Sequence, residues 1–319
     1  MMKPVAVRDY SPQVPALLSQ LGCGIAVSTY HNGRIIMLQP TADPAAGLSL
    51  QSVAFENAMA LSLRDQRLTV TSRDRLTVLQ TQQTPSAIQP HRRGSESTGS
   101  FDIHGLGWSH GDLWAVNTRY SCLGTLEPGK PFKPRWSPPF ITALAAEDRC
   151  HLNGMAMTAA GPAYVTMLGA GDRAAAWRDR TADGGVLMDV GSGEAVLQHL
   201  PMPHSPRLCA GELYVLFSAT GEVVRVDVQR GAYQVITKLD GFARGMDCRD
   251  GYLFVGMSRL RKNSRTFRDL PVAERAVSSG LQIIAAASGR VAGSVTFEPS
   301  VEEVFDVLLL PWDAPVPLA

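Results

Sequence analysis

Beyond Phe55, short stretches of alternating apolar and polar residues return with a period of about fifty residues, each opened by the same kind of unit. The unit is a polar residue, a small one, an apolar one and a variable one. It occurs as Asn57-Ala58-Met59-Ala60, His104-Gly105-Leu106-Gly107 and Asn153-Gly154-Met155-Ala156. It returns as His204-Ser205-Pro206-Arg207, Arg244-Gly245-Met246-Asp247 and, with valine in the small place, Glu303-Val304-Phe305-Asp306. After each of the first five comes a turn and a strand-like run, among them Arg67-Leu68-Thr69-Val70, Pro162-Ala163-Tyr164-Val165 and Tyr252-Leu253-Phe254-Val255. Glycine turns at Gly191, Gly231 and Gly289 join further strands. Self-similar blocks of this length, patterned as strands, predict an all-β array of blades.

Six units predict a six-bladed β-propeller. The last unit leaves room for one strand before Ala319, so its blade is completed by N-terminal strands at 24–30 and 34–38, which flank the Asn32-Gly33 turn. Closing one blade with both chain ends removes exposed sheet edges. A seven-bladed ring is the alternative, because the interval after Arg244 is long. That interval reads more simply as one blade with an insertion at 261–279, including a short helix at Pro271–Ala276. Ser11-Pro12 reads as the start of a short helix over 11–21 that stops at Gly22. The polar stretch 82–100, with Pro85, Pro90, Gly94 and Gly99, reads as a mobile loop. The whole chain, 1–319, is read as a single domain.

Composition narrows the partners. Lys+Arg 30 against Asp+Glu 29 gives no general attraction to nucleic acid or an anionic membrane. No run reaches the roughly 18 apolar residues of a membrane helix, and charge and proline after Met1-Met2 argue against a secretory signal. Cys23, Cys122, Cys150, Cys209 and Cys248 are odd in number and scattered, which predicts reduced thiols in a cytoplasmic protein. The glycines form no dinucleotide or phosphate-cradling fingerprint, so no nucleotide cofactor is expected.

In a propeller the first strand of each blade lines the axis, and alternation decides which side chains face it. The leading residues Asn57, His104, Asn153, His204, Arg244 and Glu303 then form a polar ring, with His151 one layer along. His104, His204 and Glu303 would offer nitrogen and oxygen ligands to one divalent metal, zinc or iron, or calcium if oxygen donors dominate. Without a metal, His104, His151, His204 and Glu303 would serve as acid and base groups. The competing reading is a water-filled channel in which Glu303 pairs with Arg244. Arg119, Arg149, Arg207, Arg244 and Arg259 lie in or beside repeat segments. Arg119, Arg207 and Arg244, with Asn57 and Asn153, are read as binding an anionic small molecule or peptide at the channel mouth. In the competing reading these arginines pair with nearby acids such as Glu147 and Asp306.

Trp114-Ala115-Val116-Asn117-Thr118-Arg119-Tyr120-Ser121-Cys122-Leu123, Arg149-Cys150-His151-Leu152-Asn153-Gly154 and Pro203-His204-Ser205-Pro206-Arg207 resemble signatures of a bacterial family without an assigned function. The likeness spans about Leu21 to Pro311. More distantly, the axial Asn, His and Glu set resembles six-bladed lactonase and strictosidine-synthase-like propellers, which hold a divalent cation or catalytic His and Glu groups in the channel. This chain departs from the calcium lactonases in having two or three histidines and an arginine there. Two functions follow as expectations. The first is a hydrolase or lyase acting on a small anionic or carbonyl-bearing substrate such as a lactone, sugar acid or modified peptide. The second is a non-catalytic propeller that binds a ligand or a protein partner. An open cavity around the ring residues favours the first, and a plugged channel with Arg244 paired to Glu303 favours the second.

Overall fold

In the computed structural model, which describes residues 7–84, 87–127, 129–260 and 267–312, the strands form six antiparallel sheets. Six inner strands ring one axis: Leu61–Arg64, Ile103–Ser109, Leu152–Thr158, Pro203–Cys209, Phe242–Arg249 and Asp306–Pro311. The chain is a six-bladed propeller, not a seven-bladed one. Blade 1 takes its inner strand from the C-terminal end and its outer strands, Cys23–Thr29, Arg34–Pro40 and Leu48–Ala54, from the N-terminal end. Blades 2 to 6 follow in chain order. A further N-terminal strand, Val7–Tyr10, adds a fifth strand to blade 6 by pairing with Val291–Phe297.

Strand alternation sends one row of apolar residues to each sheet face, and the core lies between neighbouring blades. Val116 and Leu123 of blade 3 pack with Leu152, Met155 and Val165 of blade 4. Leu216 and Val223 of blade 5 pack in the same way with Met246 and Val255 of blade 6.

A ring of hydroxyls sets how the blades register. Each second strand ends in a serine or threonine that reaches the first strand of the next blade. Ser28 donates to the Met59 carbonyl (2.5 Å), Thr71 to Ile103 (3.2 Å) and Thr118 to Leu152 (2.6 Å). Ser218 donates to Ala243 (2.6 Å) and Ser258 to Val304 (3.2 Å). Between blades 4 and 5 the bridge has two steps: Thr166 donates to Asn153 Oδ1 (2.7 Å), and Asn153 Nδ2 donates to the Pro203 carbonyl (3.1 Å). The residues that follow these carbonyls occupy one equivalent position: Ala60, His104, Asn153, His204, Arg244 and Phe305. Four of the six are the leading residues expected from sequence. Asn57 and Glu303 are not at that position, because their units are displaced along the strand by three and two residues.

Other expectations need correction. Residues 82–100 are not a loop: Arg75–Thr84 and Ala87–Ser97 pair as the two outer strands of blade 2, with residues 85–86 outside the described set. Their polar composition suits an outer strand, and Pro90 is tolerated there because the outermost edge has no ladder to break. Of the 261–279 insertion, 261–266 lie outside the described residues. The remainder is a chain of turns instead of a helix, held by bonds such as Ala273 N–H to Leu270 O and anchored by buried Leu270, Val272 and Ala276. The N-terminal helix is shorter than 11–21. It covers Val14–Gln20 with Pro15 in its first turn, while Ser11 instead bonds Ser294. The cysteines are not all reduced, since Cys209 and Cys248 form a disulfide between the inner strands of blades 5 and 6. They are 39 residues apart in the chain, but the repeat brings them to matching strand ends.

Ser218 also touches the site, lying 2.9 Å from His204 Nδ1. Ser218→Ala leaves the buried Ala243 carbonyl without its partner. It is expected to cost about 1–3 kcal/mol, read as a lower urea midpoint, with Ser218→Thr largely restoring stability. An unchanged midpoint for Ser218→Ala would remove the bridge from the account of blade registry.

Candidate functional site

A cavity of about 630 Å³ opens at one end of the axis. Its wall combines the starts of the inner strands with the loops that join second and third strands. His104, His151, His204, Arg244, Trp177 and Phe305 all face it. Below them the channel narrows to a void of about 20 Å³ that His104, His204 and Arg244 line together with Asn153, Arg207 and Asp306, room for about one water. The site is a cup, open on one face and narrow beneath.

Four imidazoles line the cup; that of His31 meets Glu303 through Nδ1, and the other three are likewise pinned through Nδ1. His104 Nδ1 lies 2.9 Å from the Asp102 carbonyl, and His204 Nδ1 lies 2.9 Å from the Met202 carbonyl. A carbonyl only accepts, so both rings carry their proton on Nδ1 and present the Nε2 lone pair. The accepting residues, Asp102 (φ 56°) and Met202 (φ 55°), sit in the left-handed region two residues before the histidine. Burial, reinforced by the Arg244 charge, holds the pKa of both imidazoles well below the usual range. Both are therefore neutral at neutral pH.

The third imidazole differs. His151 Nδ1 is 2.9 and 3.1 Å from the two carboxylate oxygens of Asp148, and Trp177 Nε1 donates to Asp148 Oδ2 at 3.0 Å. The Trp177 ring also covers the imidazole, with centroids 4.4 Å apart. His151 itself has φ 51°, a costly conformation for a non-glycine residue and one that clusters at functional sites. His104 and His151 meet edge to face at 5.1 Å. Among the described residues, no protein group occupies Nε2 of any of the three rings.

Arg244 lies flat on Phe305, its guanidinium carbon 3.6 Å from the ring centroid. It makes no hydrogen bond or ion pair among the described residues, and burial lowers its pKa. The expected Arg244–Glu303 pair is absent, because Glu303 is bonded to His31. Among the described residues the channel is thus not plugged at this level. Asp102 also lines the cup, and burial raises its carboxyl pKa.

The structure gathers His104, His151, His204, Arg244 and Glu303, and disperses the other sequence candidates. Asn57 is in a turn with φ 50° and does not line the cup, since Ala60 holds the equivalent ring position. Asn153 is an inter-blade bridge. Arg207 lies deeper, 3.6 Å from Asp306, on the narrow floor of the channel. Arg119 bonds Ser100 away from the cavity. Arg149 pairs with Glu147 and Asp172, while Arg259 stays on the cup wall, paired with Glu302. The expected metal trio His104, His204 and Glu303 does not converge: among the described residues, no three His, Cys, Asp or Glu side chains gather as a metal-binding set. Cys150, next to His151, is buried with its thiol pKa pushed up to about 12, so it is an inert core residue.

Sequence reasoning missed Asp148 as the partner of His151, Trp177 as its cover and Phe305 as the platform for Arg244. The hydroxyl that closes each second strand (Ser28, Thr71, Thr118, Thr166, Ser218, Ser258) was the available signal for the ring register. A second cavity of about 510 Å³ lies in the blade 4 loops beyond Trp177. Its arginines Arg173 and Arg180 are already paired with Asp179 and Asp183.

The fold and this cup define a six-bladed β-propeller with an imidazole-rich axial site. Within that class the chain belongs to the family described as Domain of unknown function (DUF4915), matched over residues 12–317. No curated protein matches it in sequence. Among solved structures it is similar to a chain of a nidogen/laminin complex, at 12% identity over 91% of this chain and 99% of that one, with a TM-score of 0.59. A Bacteroides caccae protein of unknown function gives 8% identity, the same coverages of 91% and 99%, and a TM-score of 0.59. A candidate 6-phosphogluconolactonase from Bacteroides uniformis gives 12% identity, coverages of 90% and 99%, and a TM-score of 0.50. These likenesses establish the fold alone. Among the described residues no helix is long and apolar enough to cross a membrane.

Proposed function

We propose that the cup is an acid–base catalytic site acting on a small substrate that carries a carboxylate or a polarised carbonyl, in a hydrolase or lyase reaction. The observation that carries this reading is the Asp148-backed His151, which lines the same cavity as Arg244, itself without a hydrogen bond or ion pair among the described residues. Asp148 fixes the Nδ1–H tautomer and stabilises the imidazolium that forms when Nε2 takes up a proton. In hydrolysis of a lactone or ester, water gives that proton to Nε2 and its oxygen bonds to the carbonyl carbon. The carbon–oxygen bond of the leaving group then breaks, and the imidazolium returns the proton to the leaving oxygen. In the lyase alternative, Nε2 takes the proton from carbon and the same imidazolium protonates the departing group. Arg244 holds the substrate's negative charge throughout.

The test is proton release from δ-gluconolactone and its phosphorylated form, followed in a pH-stat for the wild-type chain and for His151→Gln. Wild-type acceleration lost in the variant supports the reading. Equal rates with both proteins, or none above buffer, would move the weight to a binding propeller.

A further inference from the structure

We infer that the ligand of the cup is a hydroxy acid, its carboxylate gripped by Arg244 and its hydroxyl groups donating to Nε2 of His104 and His204. The inference rests on the acid–base reading for the location of the site, but its argument is the polarity of the hydrogen-bonding groups. Nδ1 of each ring is committed to a backbone carbonyl, Asp102 for one and Met202 for the other. Each ring therefore meets the cavity as an acceptor and not as a donor. His204 is 4% exposed overall. Its Nε2 nevertheless has no partner among the described residues, so the cavity side must supply one.

Arg244 provides the opposite polarity at short range. Stacked on Phe305 at 3.6 Å, the guanidinium has one face covered, so it offers its in-plane N–H edge to the cavity. That edge matches a carboxylate in a bidentate geometry. One donor fork beside two acceptors calls for an anion flanked by O–H groups. A phosphate group, rich in acceptor oxygens, would set them against the two imidazole lone pairs. A plain fatty acid would leave both acceptors without partners. An amino acid's ammonium would also donate to the two acceptors, and it would meet the carboxylates of Asp102 and Glu303 as well as Arg73 and Arg178 around the cavity, so γ-aminobutyrate is the control that separates hydroxyl from amine donors.

The experiment is isothermal titration of the full chain with D-gluconate, hexanoate, inorganic phosphate and γ-aminobutyrate. Gluconate is expected to bind at least about tenfold more tightly than each of the others, the difference made by one or two lost hydrogen bonds. His104→Phe should bring gluconate down to the hexanoate level and leave hexanoate unchanged, which also shows that the variant is folded. Arg244→Gln should weaken both. Nitrogen NMR of the wild-type imidazoles should show Nε2 unprotonated and shifted by gluconate but not by hexanoate. Equal affinities, tighter phosphate or γ-aminobutyrate, or no binding of gluconate at all would overturn the inference. The two readings fail separately. Gluconate selectivity without turnover removes the reaction and keeps the ligand class, whereas turnover without hydroxyl selectivity removes the ligand class alone.

Discussion

Replacing His151 by alanine is expected to abolish turnover of any lactone or ester that the wild-type chain hydrolyses, by about 10²–10⁴-fold in kcat. The size follows from the role. His151 has the Asp148 carboxylate against Nδ1, at 2.9 Å from Oδ2, and Trp177 stacked on its ring, whereas His31, whose Nδ1 also meets a carboxylate, that of Glu303, is largely exposed. His104 and His204 are pinned to neutral carbonyls and held uncharged by burial and by Arg244. Asp148→Asn should approach the same loss with the imidazole still present. The amide nitrogen can face Nδ1 and turn the tautomer, putting the proton on Nε2 where the lone pair is needed. Asp148 does not line the cup, so it acts as a positioning residue. Its variant should therefore keep the gluconate affinity while kcat falls. If affinity and kcat fell together, Asp148 would be holding the wall of the cavity instead of orienting the base. If His151→Ala kept full activity, the base would have to be sought elsewhere in the cup.

The second large effect concerns the floor of the channel. Asp306 is 7% exposed, accepts hydrogen bonds from Leu61 N–H and Val307 N–H, and faces Arg207 at 3.6 Å. Burial nevertheless outweighs these partners and, with Asp247 nearby, pushes its carboxyl from the ordinary 3.8 up to about 6. A raised carboxyl pKa means that the folded state prefers the neutral acid. Its contribution to stability is fully present below pH 3.8, declines between there and about 6, and is lost above that. The difference corresponds to on the order of 3 kcal/mol. His104 and His204 act in the opposite sense: with pKa values below the usual 6.5, their contribution is present above that pH and lost as pH falls. The wild-type profile alone therefore mixes the two. Urea unfolding of wild type and Asp306→Asn at several pH values separates them, because the histidines, Asp102 and Asp247 are common to both proteins. Relative to the variant, wild type should gain about 3 kcal/mol between neutral pH and about pH 3.5. Any hydrogen bond lost with the amide adds an offset that does not change with pH. Parallel profiles would mean that Asp306 is ionised in the fold at neutral pH without penalty.

The sequence carried the architecture because a propeller repeats one local rule. Each blade needs alternating strands, tight turns and an inner strand of similar length, and these are short-range features that recur in the chain. The six blades, and the closing of one by both chain ends, were legible from the count of repeats and the single strand left at the end. His104, His204 and Arg244 were legible for the same reason, as was His151 through its spacing from Asn153. The register failed at Asn57 and Glu303, where the repeat unit is displaced by a few residues and a one-residue slip already reverses the face of a strand. The hydroxyl-to-carbonyl bridges between blades fix that register. They involve residues some 25 to 46 positions apart, as in Ser218 with Ala243 and Ser258 with Val304.

What a side chain faces is decided by other blades, and that part belonged to the tertiary structure alone. Pattern makes Asp148 a turn acid and Trp177 an apolar residue in a loop. Only the folding of the blade 4 loop over the inner strand puts both on His151. Glu303 and Arg244 have opposite charges and line the same cavity, yet His31 from the far end of the chain takes the carboxylate and Phe305 takes the guanidinium. The disulfide follows the same logic, with two scattered cysteines brought level by the stacking of blades 5 and 6. Local pattern determined that this chain would wind into a ring of blades with polar groups towards the axis. The assembled ring decided which of those groups bond to one another and which remain open to a ligand, because that choice depends on distances between segments that the order of residues does not contain.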